Sequence, residues 1–170
     1  MSHALVVGMT ESGKTTFARG LSHIYKRGNE PVLVLDELRD PGWAADFITG
    51  DPDEFLKVFW SSRGCFVFID EAGDSVGKYD EAMRKTATRG RHWGHSCYFC
   101  VQRGALLSTT VRGQCRHLFL FTSPVEDVKI YAKEWNKPEL LTSENLAWIS
   151  QPGHYLHVPR YGDVTRGQLW

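Results

Sequence analysis

Gly8-Met9-Thr10-Glu11-Ser12-Gly13-Lys14-Thr15 decides the reading of this chain. The stretch satisfies G-x-x-x-x-G-K-[S/T] at every fixed position. Its glycines let the backbone curl so that successive N–H groups face one point. Inward N–H groups and the Lys14 ammonium suit the phosphates of a nucleoside triphosphate, and the Thr15 hydroxyl suits its magnesium ion. The flanks agree. The apolar run Ala4–Val7 reads as a strand, and Lys14 to Arg27 reads as a helix with Phe17, Leu21 and Ile24 at helical spacing. A helix that starts here aims the positive end of its dipole at the anion. The residues expected to bind the nucleotide are Gly8, Thr10, Glu11, Ser12, Gly13, Lys14, Thr15 and Thr16.

Strand and helix patterns then alternate. Pro31 to Asp36 is a run without polar alternation, as in a strand covered on both faces. Asp51 suits an N-cap and Pro52 a first helical position, ahead of Phe55, Leu56, Phe59 and Trp60. Cys65–Ile69, Ser96–Val101 and Leu118–Phe121 read as further strands. Asp80–Arg89, Pro124–Trp135 and Ser143–Ile149 read as helices. Tyr155–Val158 and Val164–Leu169, joined by Arg160-Tyr161-Gly162-Asp163, read as a closing antiparallel hairpin. The alternation predicts an α/β fold in three layers with a mostly parallel central sheet. The 170 residues are expected to form one domain.

Two further elements carry chemistry. Cys65-Phe66-Val67-Phe68-Ile69 is an apolar strand that ends in Asp70-Glu71. An acid at the end of a central strand is how this class of site holds magnesium. Asp70 is therefore expected on the metal beside Thr15, and Glu71 is expected to orient an attacking water. Gln102 ends the strand Ser96–Val101. It would lie beside Asp70 if those strands are neighbours, within reach of the γ-phosphate or the water.

Composition narrows the class. Apolar residues make up 42% and charged residues 24%, the balance of a globular chain. No apolar run approaches the roughly 20 residues of a membrane helix, and Met1-Ser2-His3 carries no leader-like basic region. The formal net charge is zero, so a nucleic-acid partner must meet a local patch or a ring of copies. The four cysteines fit a reduced compartment. His92, His95, Cys97 and Cys100 have the composition of a metal site. However, Cys97 and Cys100 are three apart in a strand, so they point to opposite faces.

Several stretches together resemble the FtsK–HerA superfamily of DNA-pumping P-loop ATPases. Thr88-Arg89-Gly90-Arg91-His92-Trp93-Gly94-His95, then a strand ending in Gln102-Arg103, resembles the segment that follows the magnesium acid there. Arg112-Gly113-Gln114-Cys115-Arg116-His117, leading into Leu118–Phe121, continues the order, and Gly153-His154-Tyr155-Leu156-His157-Val158 resembles the final strands. The short length is similar to the genome-packaging ATPases of tailless, membrane-containing double-stranded-DNA viruses. The resemblance implies a RecA/FtsK-like fold and ATP hydrolysis with Mg2+. It also implies a ring, a hexamer, acting on double-stranded DNA against capsid or portal-vertex proteins, at the packaging vertex or in the host cytoplasm. Lys14, Glu71 and Gln102 would be catalytic. Such pumps borrow an arginine from the neighbouring subunit, placed just after the strand matching Leu118–Phe121. Here Thr122 to Lys129 contains no arginine. Arg91 and Arg89 are expected to serve instead, on the Asp70 side of the sheet, ahead of Arg112, Arg116 and Lys129. The loop Gly73–Tyr79, with Lys78, is the expected DNA contact.

Competing readings make separate demands. A GTPase would read guanine through N-K-x-D, which Asn136-Lys137-Pro138-Glu139 matches only in part. A nucleotide kinase would fold Arg84 to Arg91 over an acceptor as a lid. A filamentous-phage-type assembly ATPase would add a membrane segment. A non-catalytic binding subunit would not need Lys14, Thr15, Asp70 and Glu71 intact.

Overall fold

The apolar runs of the sequence become strands of one sheet in the computed structural model, which describes residues 2–71 and 80–170. The strands are β1 (His3–Val7), β2 (Val32–Leu35), β3 (Phe47–Thr49), β4 (Phe66–Ile69), β5 (Ser96–Val101), β6 (Cys115–Leu120), β7 (His154–Pro159) and β8 (Thr165–Gln168). Their spatial order is β3-β2-β4-β5-β1-β6-β7-β8. β1 to β6 run parallel. β7 returns antiparallel to β6, and β8 antiparallel to β7, which gives the expected closing hairpin.

Helices cover both faces. α1 (Lys14–Arg27) lies on one face, where Phe17 and Ala18 pack with Val6, Val34, Phe68 and Phe121. The other face carries α2 (Pro52–Ser61), α3 (Asp80–Arg89), α4 (Thr109–Gln114), α5 (Val125–Glu134) and α6 (Ser143–Ile149). They bury Phe55, Phe59, Met83, Val111, Val128 and Tyr131 against Leu5, Leu33, Val67 and Phe99. Every residue of β1 and β2 is buried, so neither strand shows polar alternation. Cys97 joins the core under α2–α5 and Cys100 the core under α1, on opposite faces as their spacing predicts.

Local chemistry sets the boundaries. Asp51 caps α2 by accepting from the Asp53 N–H at 3.0 Å, with Pro52 in the first turn. β6 begins at Cys115, three residues before the expected Leu118. Its first turn outward is polar, with Arg116 exposed, so no apolar run marks it. β3 and α4 span only three and six residues. Both are too short for periodicity to reveal.

The strand order builds the site. β5 is hydrogen-bonded between β4 and β1, with Ile69 opposite Phe99 and Val7 opposite Val101. The residues just past the C-terminal ends of these strands are Asp70, Gln102 and Gly8. All three therefore meet at one edge of the sheet, where ligands bind in open parallel sheets.

Candidate active site

The phosphate loop is pinned from beneath. Gly8 N–H donates to the Val101 carbonyl at 3.2 Å, and Met9 N–H to Thr122 at 2.8 Å. A Cβ on Gly8 would stand 2.3 Å from Ser12 Oγ and 2.7 Å from Phe121 Cβ, so only glycine fits. Gly13 has φ +108° and leads into α1, which no side chain caps. The first-turn N–H groups of α1 are thus left to an anion. Ser12 Oγ is buried without a hydrogen-bond partner among the described residues. A buried polar atom left so is costly unless a ligand completes it. These observations fit a bound triphosphate.

Lys14 is only 5% exposed, and its Nζ donates to Glu71 Oε1 at 3.2 Å. Glu71 takes φ +54°, a left-handed conformation that is uncommon for a side-chain-bearing residue and tends to mark functional sites. Its N–H donates to Asp70 Oδ1 at 3.2 Å. Burial pushes the Asp70 carboxyl up from 3.8 to about 6, against the pull of Lys14, while the Glu71 and Asp36 carboxylates push it further up. Crowded acids of this kind are what a divalent cation relieves. Thr15 and Asp70 line one cavity of about 530 Å3 together with Arg19, Asp36, Glu71 and Gln102. Thr15 Oγ and Asp70 are the groups that would hold Mg2+ there.

The structure therefore brings Lys14, Thr15, Asp70, Glu71 and Gln102 around one space. Glu11, Gly13 and Thr16 border a second, smaller cavity on the other flank of the loop. Thr10 sits at the loop tip beside Gln102 and Arg103.

Arg89 and Arg91 are not brought to this edge, which corrects their expected position. α3 follows the Asp70 end of β4 and runs back across the sheet, so its ten residues carry Arg89 away by roughly 15 Å. Arg89 borders a cavity with Trp60, Lys85 and Trp93. Arg91 donates to Gln114 Oε1 at 3.3 Å, just before β6 begins. Arg89 and Arg91 thus do not lie over the cavity. Arg112 is a structural residue. It is buried, donates to the carbonyls of Gly104 and Leu107 at 2.8 and 2.7 Å, and pairs with Glu134 at 2.7 Å. Lys129 pairs with Glu126 on the surface at 2.8 Å. Lys137 of the partial guanine motif donates to the Gly162 carbonyl at 2.6 Å and so fastens the hairpin turn. Gly73–Tyr79, with Lys78, lies outside the described residues.

Three contributors escape a reading of the sequence. Arg19 lies one helical turn beyond Thr15, a spacing that puts both on one face, and pairs with Asp40 at 2.7 Å. Asp36 ends β2 as Asp70 ends β4. Its carboxylate accepts from Leu38 N–H, Asp40 N–H and Trp43 Nε1–H, each at 3.0 Å, and so shapes the cavity wall. Trp170 reaches the phosphate loop from the far end of the chain, and no local signal marks it.

Among solved structures, the genome packaging NTPase B204 from Sulfolobus turreted icosahedral virus 2, in complex with AMPPCP, matches 98% of this chain and 97% of its own. Its TM-score is 0.73 at 15% identity. This chain shares the fold of that protein. The same fold is shared more widely. VirB4 of Thermoanaerobacter pseudethanolicus matches 99% of this chain and 89% of its own, with TM-score 0.68 and 10% identity. The pCW3 conjugation coupling protein TcpA matches 98% of this chain with TM-score 0.67 and 17% identity, and this chain spans 59% of it. All three are under 20% identical and share the fold alone, which fits the fold implied by the resemblance drawn from the sequence. No protein-family model matches the chain, and no curated protein matches it in sequence. No helix among the described residues is long and apolar enough to cross a membrane.

Proposed function

We propose that this chain hydrolyses ATP with Mg2+ and couples the reaction to movement of double-stranded DNA. In this reading its 170 residues act as one ATPase domain, repeated around a homo-oligomeric ring, a hexamer, that packages a viral genome. The ring would work at a capsid or portal vertex, reached from the host cytoplasm. The observation that carries the reading is the gathering of Lys14, Thr15, Asp70, Glu71 and Gln102 around one cavity. That set serves water as acceptor. Lys14 leaves Glu71 for the β- and γ-phosphates. Glu71, released from Lys14, accepts a proton from the attacking water and aligns it, a role worth about 10²–10⁴-fold in rate. Gln102 faces the same space and holds the water or a γ-phosphate oxygen. Thr15 and Asp70 would hold magnesium, which when bound would neutralise phosphate charge.

A borrowed arginine would complete the same cavity. Arg19, which lines it, is held by Asp40. A neighbouring subunit is the natural source of a mobile guanidinium, and the planar fork of arginine suits a transferring phosphoryl group. Arg89, Arg91 and Arg116 are the candidates from the sequence that remain at the surface. The test is phosphate release from ATP, with and without double-stranded DNA and without an added nucleotide acceptor. Release stimulated by DNA is expected. Release that requires an acceptor nucleotide would establish a kinase instead, and none under any condition would end the motor reading.

A further inference from the structure

Two cavities flank the phosphate loop, and they differ in chemistry. The larger, on the Thr15 and Asp70 side, is walled by the carboxylates of Asp36, Glu37, Asp70 and Glu71. It suits a metal and a terminal phosphate and offers a nucleobase no aromatic face. The smaller, of about 140 Å3, is bordered by Glu11, Gly13, Lys14, Thr15, Thr16 and Trp170. A triphosphate laid along the loop has two ends. The acids fix its γ end in the larger cavity, so its nucleoside end emerges by Thr16.

Trp170 stands at that exit, 65% exposed, and its position is built. Gly153 N–H donates to the Ser12 carbonyl of the phosphate loop at 2.9 Å, and Leu169 N–H to the Gly153 carbonyl at 3.0 Å. Gly153 has φ +81°, and a Cβ there would stand 2.6 Å from Cε2 and Cζ2 of the indole. The missing side chain is thus the seat of the ring. Leu169 Cδ1 lies 3.0 Å from where a Gly13 Cβ would be. β8 is in this way fastened to the loop through Gly153, and its last contact presents an aromatic plane to solvent.

We propose that Trp170 is the platform on which the nucleobase stacks, so that the phosphate loop reads the triphosphate and the end of the hairpin reads the base. This rests on the nucleotide-site reading above. Stacking on an indole is tolerant of base identity because every base has a π face. Trp170 therefore raises affinity for nucleosides in general and does not by itself select adenine.

The test titrates ATP, GTP and inorganic tripolyphosphate into the wild type, Trp170→Ala and Trp170→Phe, with the melting temperature of each recorded. Trp170→Ala is expected to weaken ATP and GTP alike by about 5- to 150-fold, the usual worth of a base–aromatic stack. Tripolyphosphate affinity stays unchanged, and Trp170→Phe recovers most of the loss. ATP affinity unaltered in Trp170→Ala overturns the proposal. So does an equal loss for tripolyphosphate, which would make Trp170 a support of the loop. A wild type that binds neither ATP nor tripolyphosphate fails earlier, at the nucleotide site itself.

Discussion

In the proposed reaction the Glu71 carboxylate stands in both binding and turnover, so Glu71→Gln should separate the two. In the structure Glu71 Oε1 accepts from Lys14 Nζ at 3.2 Å, and the Glu71 side chain is 43% exposed. A half-exposed pair of this kind is worth roughly 0.2–1 kcal/mol. Nucleotide must break it to recruit Lys14. The amide removes that competition and one negative charge from a cavity that also holds Asp36, Glu37 and Asp70. ATP affinity should therefore rise by up to about 5-fold. Hydrolysis should fall by about 10²–10⁴-fold, since glutamine takes no proton from water. Equilibrium titration of ATP in the presence of Mg2+ and single-turnover phosphate release measure the two effects separately. Unchanged single-turnover hydrolysis would remove Glu71 from the role of base. Weakened ATP binding would show that the Lys14–Glu71 pair orders the empty loop and does not compete with nucleotide.

Further outcomes follow from other residues. Gly8→Ala places a methyl 2.7 Å from Phe121 Cβ, so overpacking of about 1–3 kcal/mol and a loss of ATP affinity of at least tenfold are expected, read by melting and titration. Arg112→Ala should destabilise by about 3–5 kcal/mol by stranding Glu134 and two carbonyls. In a chain of this size that lowers the melting temperature on the order of 10 °C; normal melting with a selective loss of turnover would instead make Arg112 a trans arginine. His3 is fully buried, and burial lowers its pKa from 6.5 to about 4. The unfolded chain therefore takes up a proton first as pH falls, and this contribution to stability is lost from pH 6.5 down to about pH 4. Between pH 7 and pH 5 the loss is about 2 kcal/mol, so His3→Asn should show a pH slope smaller by that amount in denaturant melts.

The parts of the site that local sequence encodes were legible. The phosphate loop is contiguous, and its glycines announce the conformations that Gly8 and Gly13 adopt. Asp70 and Gln102 are polar residues that terminate apolar strands, so their edge of the sheet was readable. That they share a cavity was conditional on strand order, and the register of Ile69 opposite Phe99 supplies it. Arg89 and Arg91 show where such reading stops. Closeness in sequence to Asp70 is not closeness in space here, because α3 runs antiparallel to the strands and ends at the opposite edge. Trp170 is illegible because its contacts, to Gly153 and the phosphate loop, depend on how the hairpin extends the edge of the sheet.

The most direct test of the motor is displacement of a third strand from a DNA triplex, followed with ATP and Mg2+ for the wild type and for Lys14→Ala. The wild type is expected to strip the third strand as it moves along the duplex, and only while ATP is hydrolysed, whereas Lys14→Ala leaves the triplex intact. A wild type that hydrolyses ATP at a rate indifferent to duplex DNA and displaces nothing would contradict the account.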